Sequence, residues 1–138
     1  MRELCHAAKE GRRLDEIANG FIGLWMLNKN SIIIPVPNHV GYAEYTLKIA
    51  EIIAEATGSK VCDIVKCKPH EPIYNLKKLG QIPSVEFYLV SDPPEGDIYI
   101  LDTVTATGYT MESVRRLLGK GRPLVYARDY TLRRQLIL

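Results

Sequence analysis

The sequence predicts a single α/β domain in which helices flank a parallel β-sheet, and three observations lead there. Residues 31–36 are a continuous apolar, β-branched run, typical of a strand that is buried on both faces. An amphipathic segment at 43–57 precedes a second β-branched segment at 60–65, which is the strand-helix-strand order of a parallel crossover. Finally, an apolar strand at 98–101 leads into Asp102, a turn of small residues and another helix.

Composition agrees with one domain of moderate size. The chain has 138 residues, of which 46% are hydrophobic and 25% charged, so it can bury a core of its own. With 18 basic and 16 acidic residues, the charge does not favour a nucleic-acid partner. We see no signal peptide and an odd set of cysteines (Cys5, Cys62 and Cys67), so we expect reduced thiols in a cytoplasmic protein. The sequence contains no apolar run of about 18 residues, so it does not predict a membrane span.

The first 30 residues are predicted to form a helical cover, or hood, over one edge of the sheet. Residues 2–18 have a helical pattern that Gly11 interrupts, and 20–27 supply bulky apolar groups before a polar turn. The α/β core is then expected to span residues 31–128. Residues 129–138 are expected to form a tail whose end is apolar.

The first crossover is the best-defined part of the core. The strand at 31–36 ends at Pro37, and a polar loop leads into the helix at 43–57. That helix combines a broad apolar face with a polar stripe, and Gly58 should cap its carboxyl end. The polar stripe consists of Glu44, Lys48, Glu51 and Glu55.

The second half begins with a long connection. Residues 66–85 are rich in lysine and proline, which predicts an exposed loop, and so long a loop in a small domain is usually functional. The remaining elements are expected in the order strand 87–90, turn 91–97, motif strand, helix 111–118, turn 119–121 and strand 124–127.

The segment around Asp102 is suited to a sugar phosphate. An acid at the carboxyl end of a strand can hold ribose hydroxyls or a hydrated metal ion. The turn and the amino end of the next helix can gather donors around one anion. These donors are the N–H groups of Thr105, Ala106, Thr107 and Gly108 and the hydroxyls of Thr105, Thr107 and Thr110. Many crevices of α/β sheets have the same order of elements, so a generic crossover remains an alternative.

The same segment resembles the phosphoribosyl diphosphate (PRPP) signature of type I phosphoribosyltransferases. That signature is an apolar strand, two acids, two variable residues and a Thr-Thr-Gly or Ala-Thr-Gly loop. Asp102 takes the first acidic position, Thr103 replaces the second acid, and Tyr109 fills a place usually given to a small residue. Uracil phosphoribosyltransferases also lack the second acid. The resemblance implies a PRPP-binding set of Asp102, Thr103, Thr105, Ala106, Thr107, Gly108, Tyr109 and Thr110.

From Ile32 to Arg128 the layout is also similar to the competence protein F (ComF-like) branch of these enzymes. The similarity includes the Pro35-Val36-Pro37 strand end and the closing Ala127-Arg128. Members of that branch often carry a zinc module ahead of the domain, and this sequence does not contain one. A role in DNA uptake is therefore the weakest implication.

The resemblance implies transfer of phosphoribosyl between diphosphate and a nitrogenous base, with Mg²⁺ as cofactor. Asp102 would be catalytic and would hold Mg²⁺, directly or through water. Lys77 and Lys78 would lie on a mobile catalytic loop, and Gly41 would let the backbone approach the diphosphate. The implied diphosphate loop is Pro37, Asn38, His39, Val40 and Gly41.

Each of these residues also has a structural interpretation. His39 and the lysine pair could simply be solvated, and Phe21 and Trp25 could pack in the core rather than in a hood over the base. Zinc at Cys62, Cys67 and His70 lacks an evident fourth ligand. Arg115, Arg116, Arg133 and Arg134 could meet phosphate or nucleic acid, and surface solvation is the favoured interpretation of all four.

Three function classes therefore stay open. They are an active transferase, a PRPP- or nucleotide-sensing protein without turnover, and a DNA-uptake accessory protein. A homodimer is expected in each case.

Overall fold

The structure is a computed structural model that describes residues 14–24, 26–70, 80, 85–105 and 108–128. In chain order its elements are α1 (Leu14–Leu24), β1 (Ser31–Pro35), α2 (Tyr45–Thr57), β2 (Lys60–Val61), β3 (Val65–Cys67), β4 (Phe87–Leu89), β5 (Asp97–Thr105), α3 (Tyr109–Leu118) and β6 (Arg122–Arg128).

The sequence predicted a parallel sheet, and the core is a four-stranded parallel sheet in the order β2-β1-β5-β6. β1 has a strand on either side and is buried at all five positions, which explains its continuous apolar composition. β3 and β4 form a separate antiparallel pair, called here the β3-β4 ribbon.

Helices cover both faces of the sheet. On one face, α1 and α2 pack with Ile33, Leu101 and Leu124. On the other, α3 and the β3-β4 ribbon pack with Ile34 and Ile100. The helix after β1 and the helix after β5 therefore lie on opposite faces.

α1 differs from the predicted amino-terminal helix. It runs through Gly20 and ends at Leu24, whereas the sequence pattern ended the helix at residue 18. Ile17 and Phe21, four residues apart, are fully buried against α2 and the sheet, and this burial outweighs a glycine cost of about 1 kcal/mol. Phe21 is thus a core residue. Residues 1–13 and Trp25 lie outside the described residues, so the hood remains a prediction.

The predicted strand at 60–65 is divided in two. β2 contributes two residues to the sheet, and one more bond follows, from the N–H of Cys62 to the carbonyl of Ile33 (2.9 Å). The chain then leaves the sheet edge, because Ile64 and Val65 bury themselves against the α3 face. The segment expected to be a loop from residue 66 consequently begins within β3.

Two helix ends agree closely with the sequence. Gly58 caps α2 with a φ of 78°, and its N–H donates to the carbonyl of Ala54. α3 begins at Tyr109, two residues earlier than predicted, but it ends at Leu118 as predicted, with Gly119 as its cap. Among the described helices, none has the length and apolar character needed to cross a bilayer.

Candidate functional site

The candidate site lies at the carboxyl ends of β1 and β5. These strands are neighbours, and the chain leaves them in opposite directions, toward β2 and β6. Open α/β sheets bind ligands at such a switch point, because the two following helices diverge and leave a crevice. The N–H of Val36 donates to the carbonyl of Leu101 (3.1 Å), so the segment after β1 starts beside Asp102. The structure thus brings the implied diphosphate loop and the Asp102 segment together.

Asp102 is buried within β5, with 9% of its surface exposed, and it is in register with Val125 of β6. Side chains alternate along a strand, so Asp102 shares the face of Ile98 and Ile100, which is the α3 face. The strand continues to Thr105, whereas the sequence analysis placed its end at Asp102. The reason is that β6 is long enough to pair with Val104 and Thr105 as well.

The turn behind Asp102 is therefore shorter than predicted. Thr105 belongs to β5, and Ala106 and Thr107 lie outside the described residues, as do the side chains of residues 103–105. Whether these residues bind phosphate stays a prediction.

Gly108 marks the start of α3. It has the left-handed φ of 77°, and its carbonyl accepts the N–H of Glu112 at 2.9 Å. A Cβ added here would meet nothing within 4 Å among the described atoms. Among the described atoms, Gly108 thus has open space beside it, which close approach of an anion requires.

The dipole of α3 favours an anion at its amino end, whereas the side chain of Glu112 adds a negative charge to the first turn. Helix dipoles place partial positive charge at the amino end, and the basic Arg115 and Arg116 lie in the last turn, where they balance the negative end. Arg116 also pairs with Glu112 at 3.2 Å on the exposed face. Both arginines are exposed, in agreement with surface solvation.

The segment after β1 is folded on itself. The N–H of Asn38 donates to the carbonyl of Tyr42 (3.3 Å), and the N–H of Gly41 donates to the carbonyl of Asn38 (3.1 Å). The Asn38 side-chain amide donates to Glu44 at 2.7 Å. Its own Oδ1 is buried, and within the described part of the chain it has no hydrogen-bond partner. Two N–H groups of the implied diphosphate loop are thus engaged within the loop, and His39 is exposed.

This segment is also fastened to the β3-β4 ribbon. The N–H of Cys67 donates to the carbonyl of Gly41 (3.0 Å), and the N–H of His70 donates to the carbonyl of His39 (2.9 Å). Gly41 has a φ of 109°, and an added Cβ would lie 2.8 Å from the Cys67 carbonyl oxygen. Close packing on β3 therefore explains this glycine, which the sequence analysis had attributed to diphosphate. Its approach to a diphosphate stays a prediction.

Tyr109 makes a contact that sequence reasoning missed. Its hydroxyl oxygen accepts the N–H of Val85 at 3.0 Å, which links the first turn of α3 to the residues that enter β4. The one signal in the sequence was a bulky residue where the resembled signature has a small one. Direct binding of PRPP by Tyr109 or by the half-buried Thr110 stays a prediction.

The two described cysteines are free thiols with low reactivity. Burial raises the pKa of Cys67, and burial together with the charge of Asp63 raises the pKa of Cys62. In the described part of the chain, no three His, Cys, Asp or Glu residues are grouped to hold a metal. Cys62, Cys67 and His70 therefore do not form a zinc site.

The structure describes only part of the basic loop at 66–85. Lys77 and Lys78 lie outside the described residues, so their catalytic role stays a prediction. At the start of the loop, Lys68 pairs with Glu86 at 2.7 Å on the surface, and that hydrogen bond and charge raise the pKa of Lys68.

A separate shallow depression of about 180 Å³ lies at the other end of the sheet, where β5 and β6 begin. Its lining includes Gly96, Gly121 and Lys120. Cβ atoms at the two glycines would lie 3.1 Å from Ile32 and 2.8 Å from Ile100, so core packing explains them. This depression is remote from Asp102 and is not part of the candidate site.

Comparison with known proteins adds one structural likeness. No protein-family model matches the chain, and no curated protein matches it. The chain is similar to the crystal structure of a purine phosphoribosyltransferase from Pyrococcus horikoshii Ot3, with 15% identity and a TM-score of 0.47 over 84% of this chain and 81% of that one. A likeness at this level carries no argument about function, and it gives no support to the competence protein F branch. The assignment must therefore depend on the geometry of the site.

Proposed function

We propose that this protein binds PRPP, or a nucleotide through its 5′-phosphate, and transfers phosphoribosyl between diphosphate and a nitrogenous base. One observation carries the proposal. The two segments that the sequence pattern associated with PRPP, 37–41 and 102–110, are 60 residues apart in sequence, yet both begin at the switch point between β1 and β5. Their convergence supports the proposal because a ligand with a phosphate at one end and a diphosphate at the other could contact both segments at once.

Different residues would bind different parts of the ligand. The amino end of α3 and the open backbone at Gly108 would receive the 5′-phosphate, and Asp102 would accept hydrogen bonds from the ribose hydroxyls. The segment after β1 would face the diphosphate. Asp102 is fixed by the hydrogen bonds of β5 to both neighbouring strands, so it is positioned before the ligand arrives.

The reaction is a substitution at ribose C1. The bond from C1 to the diphosphate oxygen breaks and its electron pair leaves with diphosphate. The lone pair of a base nitrogen forms the new bond to C1, and the proton on that nitrogen passes to solvent. The carbon has oxocarbenium character in between, and the Asp102 carboxylate is of the charge needed to stabilise it.

Mg²⁺ fits this site only as an ion that arrives with the diphosphate. Asp102 is a single carboxylate, and Mg²⁺ is commonly held by one or two carboxylates together with phosphate oxygens and water. When bound, the ion would neutralise the leaving group. Asp102 would hold it, directly or through water.

A sensor without turnover is the second candidate, and the observation that favours it is Thr103. That residue stands where the resembled signature has its second acid, next to Asp102 on β5. A sensor needs the phosphate site but not the chemistry. A homodimer is proposed for either candidate.

Release of diphosphate separates the two candidates. The protein would be incubated with PRPP, Mg²⁺ and each of a panel of purine and pyrimidine bases, and diphosphate would be measured with a coupled assay. We expect release with at least one base, and loss of release in Asp102→Asn. The matched control is Asp97→Asn, since Asp97 is exposed at the opposite end of the same strand. PRPP binding without base-dependent release would assign the protein to the sensors.

A further inference from the structure

We infer that Tyr109 is a positioning residue that clamps the β3-β4 ribbon to the amino end of α3 and so holds the two sides of the candidate site at a fixed spacing. The inference rests on the proposed function for the identity of the ligand. It assigns to Tyr109 a role other than direct phosphate binding.

The first part of the clamp is the hydrogen bond at α3. The Val85 N–H donates to the Tyr109 hydroxyl across 24 positions of sequence, at 3.0 Å and in a half-buried setting. Val85 lies two residues before β4, so the bond fixes the start of that strand. Apolar packing continues the connection, because Phe87 and Leu89 of β4 lie against the cluster that contains Met111 and Val114 of α3.

The second part connects the ribbon to the other side of the site. β4 pairs with β3 through residues 87–89 and 65–67. At the carboxyl end of β3, where Cys67 pairs with Phe87, Cys67 holds the segment after β1 by two bonds. Its N–H donates to the Gly41 carbonyl, and its thiol donates to the Asn38 carbonyl at 3.4 Å. A continuous chain of contacts thus leads from α3, through the ribbon, to residues 38–41.

This arrangement has a consequence for ligands of different length. PRPP would contact α3 with its 5′-phosphate and residues 37–41 with its diphosphate, so its binding depends on the spacing of the two sides. Ribose 5-phosphate would contact only the α3 side. A change that loosens the clamp should therefore weaken PRPP more than ribose 5-phosphate, whereas loss of a direct phosphate ligand should weaken both equally.

The test is Tyr109→Phe, which removes the hydroxyl and keeps the ring. Tyr88→Phe is the matched control, because Tyr88 lies on the exposed side of β4. Titrations with PRPP and with ribose 5-phosphate would be combined with residue-resolved hydrogen exchange of the ligand-free proteins. We expect PRPP affinity to fall by about three- to tenfold, ribose 5-phosphate affinity to stay constant, and the Val85 amide to exchange about tenfold faster. Tyr88→Phe should match the natural protein in both ligand affinities and in the exchange rate of the Val85 amide.

The outcomes are distinct. Equal weakening of both ligands, or unchanged exchange at Val85, would overturn the clamp while leaving the proposed function intact. If the natural protein binds neither ligand, the proposed function itself fails. The Val85 exchange rate does not depend on any ligand, so it still reports whether the hydrogen bond holds the ribbon.

Discussion

Asp102 is the residue whose chemistry matters most, and its setting makes it testable. Asn has nearly the same shape but no charge, so Asp102→Asn should weaken PRPP binding or turnover by about tenfold or more and shift the melting temperature little. Calorimetric titration and thermal unfolding would measure the two effects. Because only 9% of the surface of Asp102 is exposed, the larger change Asp102→Leu would also disturb packing and is less suitable. A large loss of stability in Asp102→Asn without a ligand effect would make Asp102 a structural residue.

The two ends of α3 offer a matched pair of glycines. Gly108 and Gly119 both have a φ of 77°, and an added Cβ at either meets nothing within 4 Å among the described atoms. Valine at either position should therefore cost a similar backbone strain, on the order of 1–3 kcal/mol. Only Gly108 lies at the amino end of α3, which belongs to the candidate site.

We expect Gly108→Val to abolish PRPP binding and Gly119→Val to retain it, at equal losses of stability. Chemical denaturation and ligand titration of both variants would measure this. Unaltered binding in Gly108→Val would refute the assignment of the phosphate site.

The thiols give a prediction that depends on pH. Burial raises the pKa of Cys67, and burial with the charge of Asp63 raises that of Cys62. The folded state then holds the thiol protons more tightly than the unfolded state does. The contribution of the two thiols to the unfolding free energy is therefore present below the ordinary thiol pKa of about 8.5, and it is lost as pH rises above that value. In a Cys5→Ser background, Cys62 should react with a thiol reagent before the buried Cys67, and unfolding free energy should fall above about pH 9. Faster labelling of Cys67 would contradict its buried position.

At the scale of elements, the connection between the loop at 38–41 and the β3-β4 ribbon is the least expected feature. Gly41→Ala would put a Cβ 2.8 Å from the Cys67 carbonyl oxygen at a φ of 109°. We expect a loss of unfolding free energy of about 2–4 kcal/mol, since strain and overpacking combine. Urea denaturation would measure it.

Gly58→Ala is the control for this change. Its φ is 78°, but the added Cβ would make only an ordinary 3.8 Å contact with Lys29. The loss there should be about 1 kcal/mol. Equal losses at the two positions would mean that the approach of Gly41 to β3 is unimportant.

The sequence predicted some elements well and others poorly, for physical reasons. β1, α2 and α3 were recognisable because burial on one or two faces imposes a local periodicity that can be read along the chain. β4 was predicted as a strand at 87–90, but its antiparallel pairing with β3 was not, since that pairing joins two strands of three residues that are distant in sequence. The end of β5 was also misplaced, because its length depends on the pairing with β6.

The same distinction applies to the candidate site. Asp102 and Gly108 were proposed from a local pattern, and Pro37 and its loop were proposed from the resemblance. The structure places both segments at one edge of the sheet, and their roles stay predictions. The contact that requires a glycine at position 41 is with Cys67, 26 residues away. The hydrogen-bond partner of Tyr109 is Val85, 24 residues away. A single sequence contains no signal for such pairs.

In the molecule as a whole, the proposed PRPP site is formed by two segments that converge at one switch point of a small parallel sheet. The apolar clusters on the two faces of that sheet hold the convergence in place, and α3 and the β3-β4 ribbon belong to the same cluster. The shape of the crevice is therefore a property of the fold as a whole, and a ligand that spans it should stabilise the whole domain.

The most direct measurement is a calorimetric titration of the purified protein with PRPP and Mg²⁺, with ribose 5-phosphate and ATP as comparison ligands. We predict micromolar binding of PRPP, weaker binding of ribose 5-phosphate and none of ATP, with PRPP binding lost in Gly108→Val and retained in Gly119→Val. Absence of binding to PRPP in a folded protein would contradict the proposed function.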